Sequence, residues 1–303
     1  MSVNYSEQLS PYPFKGAVGQ KEFTETKQTF QQKVQLLTTY FQKYKGSITV
    51  HTGAGISTSS GIPDFRGPKG VWTLEKQGKY YTGDTTFDSA IPSYSHFALI
   101  ILFKKQFIKF LVSQNVDGLH LRSGFPREFM AELHGNMFVL KCKSCGHIKI
   151  LNKASTLIGQ KNSGIKCQNL SKSPPCRGYY YDSVLDWEHD LPEADYLRSH
   201  NNAKTSIVNL VLGSSLQILP ANKLPLAAKT MRNKKNSSNL NFNKDQAKLV
   251  VVNLQRCKFY KRADLNIHSK IDEVMEALCR NLQLHEEIVK LREDYLRDKS
   301  SSN

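Results

Sequence analysis

A chain of 303 residues with 39% apolar, 22% charged and 10% aromatic side chains is neither disordered nor collagenous; it can hold one large domain with an insert, or two small ones. The formal charge of +16 suits an anionic partner such as nucleic acid, chromatin or an acidic surface, or else reflects a generally basic, solvated exterior. The longest wholly apolar run, residues 97–103, is too short to span a bilayer and residues 1–5 do not open a secretory leader, so a soluble intracellular chain is expected, its cysteines free thiols or metal ligands.

Residues 1–29, with Pro11, Pro13, Gly16 and Gly19 and little periodicity, read as an extended N-terminal arm. Phe30, Val34, Leu37, Phe41 and Tyr44 recur at spacings of three and four, which predicts one apolar helix stripe ended by Gly46. Residues 47–51 follow as a buried strand that breaks into Gly53. Short apolar runs at 110–112, 207–212 and 249–252 predict further strands. Helices are expected around 95–106, after Pro220, and over 271–284. Near-continuous apolar strands alternating with helices predict an α/β fold, a Rossmann-like doubly wound parallel sheet formed by 30–140 and 179–284. Two stretches interrupt it. Residues 141–178 hold Cys142, Cys145, Cys167 and Cys176 and read as an inserted small zinc-binding module. Residues 230–247, rich in Asn and poor in apolar side chains, read as a flexible insert loop; an intracellular chain would not use its glycosylation acceptor, Asn236-Ser237-Ser238. Residues 285–303 read as a C-terminal tail with a weak helical pattern at Ile288, Leu291 and Tyr295.

The loop Gly53-Ala54-Gly55-Ile56-Ser57-Thr58 should open a helix, and its two glycines would let the backbone approach a pyrophosphate. Thr58 stands where a dinucleotide fingerprint has its third glycine, and no acidic residue follows at the usual distance. A tight structural turn therefore explains the loop equally well. In Gly61-Ile62-Pro63-Asp64-Phe65-Arg66-Gly67-Pro68, Phe65 would cover a planar ring and Arg66 would meet a phosphate or carboxylate; an ordinary turn with one buried aromatic is the plain alternative. Gln114, Asn115 and Asp117, at the carboxyl end of a strand, offer hydrogen bonds to a ribose or amide, or a helix cap. Later strands end in Gly213-Ser214-Ser215 and Asn253-Leu254-Gln255, suited to a close ligand or to loop capping. His134 is the natural base near neutral pH, although a lone histidine is more often structural.

Cys142-x2-Cys145 with Cys167 and Cys176 suits tetrahedral zinc on four thiolates, with His147 an alternative ligand. Four thiolates leave no open position, so the metal is expected to be structural. Cys257 and Cys279 read as ordinary thiols. Charge is also segregated: eight Lys or Arg and no acid lie within 141–177, whereas six acids and no Lys or Arg lie within 182–195. The first stretch could face DNA phosphates and the second a basic histone tail.

Taken together and in order, Thr52-Gly53-Ala54-Gly55-Ile56-Ser57, Gly61-Ile62-Pro63-Asp64-Phe65-Arg66, Gln114-Asn115-Val116-Asp117, His134-Gly135 and the four cysteines closely resemble the sirtuins, NAD-dependent protein deacylases. Met1-Ser2-Val3-Asn4-Tyr5 with Leu9-Ser10-Pro11-Tyr12, Gly70-Val71-Trp72, Leu185-Asp186-Trp187-Glu188 and Asn253-Leu254-Gln255 are similar to the family's nuclear, class IV branch. The resemblance runs over 1–284, apart from 230–247. It implies that Ala54, Thr58, Phe65, Arg66, Trp72 and Gln114 line an NAD pocket, and that Gly213, Ser214, Ser215, Asn253, Leu254, Gln255 and Ile271 hold the adenosine half. Ser57, Asn115 and Asp117 would sit near the nicotinamide ribose, His134 would be the general base, and the four cysteines would bind zinc. Asp186 and Trp187 stand near the place where many members dock substrate through Phe-Gly-Glu. The implied reaction moves an acyl group from lysine to ADP-ribose and releases nicotinamide. Long-chain acyl groups, mono-ADP-ribosylation, histone and chromatin targets and a nuclear site belong to the same resemblance. A basic, zinc-stapled DNA-binding module is the competing reading; an NAD oxidoreductase is disfavoured because no hydride-transfer constellation is apparent.

Overall fold

Runs of Val, Ile and Leu without polar alternation pair as the middle of a parallel sheet buried on both faces. The computed structural model describes residues 9–12, 15–171, 173–230 and 247–301. In chain order the strands are β1 (Ile48–Thr52), β2 (Phe110–Ser113), β3 (Met130–Glu132), β4 (Val139–Cys142), β5 (Ile148–Ile150), β6 (Asn162–Lys166), β7 (Tyr179–Asp182), β8 (Val208–Leu212), β9 (Lys248–Val252) and β10 (Leu265–Ile267). The helices are α1 (Lys27–Lys43), α2 (Val71–Lys76), α3 (Tyr94–Lys104), α4 (Leu119–Arg122), α5 (Glu193–Lys204), α6 (Ala227–Thr230), α7 (Ile271–Asn281) and α8 (His285–Ser301).

The large sheet has the order β10-β9-β8-β1-β2-β3, and every neighbouring pair is parallel. Strand order therefore reverses at the β1/β8 boundary, and the loops leaving the two carboxyl ends diverge to open a crevice there. Side chains of the strands alternate between two cores. Ile48, Val50, Leu111, Leu210, Val250 and Val252 meet α1, α3, α7 and α8 on one face. Phe110, Val112, Val211, Leu249 and Val251 meet α5 and the segments that follow β8 and β9 on the other. Helix α7 buries Ile271, Val274, Met275, Leu278 and Cys279, the i, i+3, i+4, i+7 pattern of a one-sided helix. Helix α3 buries all of 97–102, because the sheet lies on one side and α7 and α8 on the other.

β4 to β7 form a separate antiparallel sheet in the order β5-β4-β7-β6, spanning 139–182 and so extending slightly beyond the 141–178 stretch marked by its cysteines. The segment read as a tail is a docked helix: α8 buries Ile288 and sets Tyr295 edge-on to Phe97, with ring centroids 5.4 Å apart. The middle of the proposed insert loop, 231–246, lies outside the described residues, as does Asn236; Thr230 closes α6 and Ala247 is buried.

Three histidines are enclosed without charge partners. His51 on β1 bonds Asn209 of β8 (2.9 Å), and His120 bonds Thr52 (2.9 Å) with its ring centroid 4.7 Å from that of His96. Burial lowers the pKa of His51 to about 4 and of His96 to about 3, and lowers His120 as well. In the unfolded chain each titrates near the usual 6.5, so below that pH the unfolded state binds more protons and the fold loses stability. Burial raises Glu132 to about 7, which works in the opposite sense and offsets one of the three. Because the three histidines outweigh Glu132, stability should fall as pH drops from 6 to 5, read as a falling urea midpoint, and a flat profile would contradict it.

Candidate active site

The crevice is closed at its floor by backbone against backbone. Gly53 N–H donates to the Leu212 carbonyl (3.0 Å), Gly55 N–H to the Gly213 carbonyl (2.9 Å) and Gly213 N–H to the Val252 carbonyl (2.9 Å). A Cβ on Gly55 would lie 2.7 Å from Gly213 Cα, and one on Gly213, whose φ is +67°, would lie 2.6 Å from the Gly55 carbonyl carbon. Packing of the two loops is therefore enough to require glycine here, as the tight-turn alternative expects. The loop also opens no α-helix. It makes two short 3-10 turns, Ala54–Ile56 and Thr58–Ser60, and stops at Gly61 in the left-handed region with Pro63 two residues on.

The resulting open cleft encloses about 1180 Å³, solvent at its mouth included. Ala54, Phe65, Arg66, Trp72, Gln114 and Asn115 line one part of it, and Gly213, Ser214, Ser215, Asn253 and Gln255 another. His134, Asp186 and Trp187 line the remainder. Five expected residues do not reach this surface. Ser57 is fully buried and donates to Asp117 (2.7 Å), while Asp117 also accepts the Leu119 N–H (2.9 Å), so the pair braces the wall from behind. Thr58 is exposed and bonds the Gly55 carbonyl; Leu254 offers only its carbonyl, to Phe23; Ile271 belongs to the main core.

Arg66 has the features of an anion site. Its Nε donates to the Lys15 carbonyl (2.8 Å), its guanidinium lies 4.5 Å from the Trp72 ring centre, and its buried Nη2 has no hydrogen-bond partner among the described residues. Burial lowers it to about 10, so it stays charged at neutral pH. The glycine floor at the strand-order reversal and the unpaired Nη2 fit the dinucleotide that the sequence implies, while Asn253 Nδ2 is engaged with the Gln255 carbonyl and Gln255 Nε2 with the Gln20 carbonyl. Gln114 Nε2 contacts Ser214 Oγ (3.4 Å) and Asn115 Nδ2 donates to the Gly53 carbonyl (3.1 Å), tying the end of β2 to the loops after β8 and β1.

His134 is set by its neighbours as a base. Its Nδ1 lies 2.8 Å from the Gln114 carbonyl, which can only accept, so Nδ1 carries the proton and neutral Nε2 keeps its lone pair. Desolvation lowers its pKa and the Arg66 charge adds to this, against the raising effect of the Gln114 bond. Gly135, at φ +87°, follows it against Ser183, and the Leu185 N–H bonds the His134 carbonyl (3.0 Å). The cleft contains residues to which the sequence assigned no role, among them Ile218 and Leu219, which no motif covers, and Leu9, Tyr12 and Val116, which lie in resembling stretches. Only chain folding brings the arm and these loops together.

The thiols of Cys142, Cys145, Cys167 and Cys176 all lie within 4.8 Å of one another, with Cys142–Cys176 at 3.8 Å and Cys145–Cys167 at 3.6 Å. Thiolates about 2.3 Å from zinc in a tetrahedron are about 3.8 Å apart, so the set fits the ion. His147 stands outside this group of four, with its Nδ1 engaged by the Tyr180 hydroxyl at 2.7 Å. Four thiolates make the site structural. Removing Cys142 as Cys142→Ser should abolish stoichiometric zinc and most soluble yield, since such sites fold their modules with roughly 10 kcal/mol or more. A metal-free variant that melts at the parental temperature would rule out this role.

Comparison with known proteins agrees with this geometry. The sequence profile of the Sir2 family matches residues 53–90 and 74–220. The NAD-dependent protein deacetylase Sirt6 of Drosophila melanogaster is 42% identical over 285 residues, covering 93% of this chain and 85% of that protein. The NAD-dependent protein deacetylase SRT1 of Arabidopsis thaliana is 41% identical, covering 94% of this chain and 56% of that protein. Among solved structures, a Sir2 complex with p53 peptide and NAD+ superposes with a TM-score of 0.59 at 25% identity, over 83% of this chain and 99% of that one. By sequence match, parallel-sheet fold and four-cysteine module alike, this chain belongs to the Sir2 family of sirtuins.

Proposed function

We propose that this NAD-dependent protein deacylase takes acyl groups from lysines of chromatin proteins, histone tails foremost, in the nucleus. The observation that carries the reading is His134 fixed by Gln114 as a neutral base in a cleft whose opposite part is built for a dinucleotide. NAD, when bound, supplies the glycosidic bond to nicotinamide whose cleavage drives the transfer, and carries the acyl group away as O-acyl-ADP-ribose.

The chain's own residues supply orientation and one proton transfer. Nδ1–H of His134 stays on the Gln114 carbonyl while Nε2 accepts the proton of a ribose hydroxyl. Arg66 holds anionic oxygen, and Phe65 and Trp72, 4.7 Å apart, exclude water beside it. Val116, Leu185 and Trp187 offer an apolar approach that favours an uncharged acyl-lysine over a lysine ammonium, whose desolvation is costly. Asn115 and the buried Ser57–Asp117 pair keep the first loop in place.

Charge supports the choice of partner. Asp186 is at the cleft, and Asp190 and Asp195 line an adjoining crevice that Arg127, Lys141 and Lys143 also line; the carboxylates suit a basic tail. Lys143, Lys149 and Lys166 belong to the small sheet and its turns, suited to DNA phosphates. Long-chain acyl groups and mono-ADP-ribosylation use the same cleft and the same glycosidic bond, and both belong to this proposal.

Incubation with NAD and acylated histone peptides should release nicotinamide only when peptide is present; formation of NADH instead would overturn the reading. His134→Tyr should lower that rate by about 100-fold or more. If DNA binding were the main task, His134→Tyr would leave cellular function intact. Because the base must be neutral and its pKa in the free protein is lowered, kcat/KM should hold as pH falls to 6.5 and decline only below it. An acid limb centred above 6.5 would contradict the assignment.

A further inference from the structure

The N-terminal arm lies outside both layers of the fold, yet it touches the loops around the cleft in turn. Gly19 N–H bonds the Arg66 carbonyl (3.0 Å), Phe23 N–H the Leu254 carbonyl (2.9 Å) and Glu25 N–H the His268 carbonyl (3.0 Å). Ala17 exchanges two hydrogen bonds with the Gln217 side chain, at 2.7 and 3.1 Å. These contacts run along the dinucleotide side. Residues 9–12 reach the other side, where His134 stands.

There the arm is held by side chains. Ser10 donates from its backbone N–H (3.1 Å) and from its hydroxyl (2.8 Å) to the Asp186 carboxylate. The Tyr12 ring stacks on Trp187, centroids 4.2 Å apart and planes 11° off parallel. Trp187 in turn meets Trp72 at 5.6 Å, so the aromatic wall of the cleft continues into the arm. Leu9 both lines the cleft and packs on the buried cluster of Ile62, Val116, Phe138 and Val184. It sits where the cleft's apolar lining passes into the apolar interior.

We propose that residues 9–12 are a specificity element for the acyl group, with Leu9 as a stopper that limits chain length and the Ser10–Asp186 and Tyr12–Trp187 contacts holding it in place. This rests on the reading that the cleft takes an acyl-lysine. A short acyl group leaves Leu9 seated. A long one must displace it, and the apolar cluster behind it then offers methylenes a dry surface in exchange. The discriminating residue is thus supplied by a segment far from the catalytic loop in sequence. It is held by the surface contacts of Ser10 and Tyr12 rather than by enclosure in a core.

The test is kcat/KM for acetyl, octanoyl and myristoyl peptides with the full chain, Leu9→Ala, Tyr12→Ala and Tyr12→Phe. Both alanine variants should raise the ratio of myristoyl to acetyl about tenfold, as expected when room for a few methylenes opens in an apolar pocket. Tyr12→Phe keeps the stacked ring and should keep the parental ratio. A merely structural arm would lower all substrates together, so ratios within about twofold of the parent for both alanine variants overturn the proposal. A fall in the ratio, or equal effects of Tyr12→Ala and Tyr12→Phe, does so too. No turnover of any peptide by the unaltered chain would remove the acyl-lysine reading and this inference with it, whereas turnover with unmoved ratios removes the inference alone.

Discussion

The contact on which the rest of this molecule depends is the van der Waals approach of Gly53 and Gly55 to Gly213 and Ser214. It joins the loops after β1 and β8 at the one place where strand order reverses. Any side chain there would force the two loops apart by an atom's width, and the hydrogen bonds from Gly53 and Gly55 would be lost with the spacing. Because these loops are locked, Asn115 and Gln114 of the neighbouring strand can bond across to them, and Gln114 can use its carbonyl to fix the tautomer of His134. A packing constraint in glycine thus becomes, three contacts later, the protonation state of a base.

The zinc-binding sheet is coupled to the same chemistry by covalent connection. The two segments that leave it toward the large domain are 133–138 and 183–192; the first carries His134 and the second Asp186 and Trp187. They are bonded to each other through Leu185 N–H and the His134 carbonyl, and through Ser183 and Asn136. A structural metal in this module would therefore set the relation between His134 and the loop of Asp186 and Trp187, since folding of the module fixes where both strands of the connection begin. The arm closes the arrangement from outside by engaging Asp186 and Trp187.

Much of this was legible in the residues. Strand β1 at 48–52 against an expected 47–51, and α7 at 271–281 against 271–284, follow because burial on two faces and on one stripe leave different periods in the sequence. β3 and β10 escaped notice because three residues are too few to show any period. The helix expected after Gly53 did not form: Ser57 turns inward to Asp117 and Gly61 takes a left-handed conformation, a local outcome decided by a partner sixty residues away. The weak pattern at Ile288 and Tyr295 became a full helix once α3 offered an apolar surface.

What the sequence determined by itself was the list of chemically able residues: the four thiols, the histidine, the glycine loop and the strands that carry them. Residue type sets proton affinity, metal preference and backbone freedom before any folding. Only the tertiary structure decided which of them face one space. Ser57, Thr58, Asp117, Leu254 and Ile271 were candidates by motif or resemblance and lie behind or beside the cleft, while Leu9, Tyr12, Ile218 and Leu219 carried no assigned role and lie within it. The reason is physical: membership of a site depends on distance between segments far apart in the chain, and that distance is set by packing of the whole core.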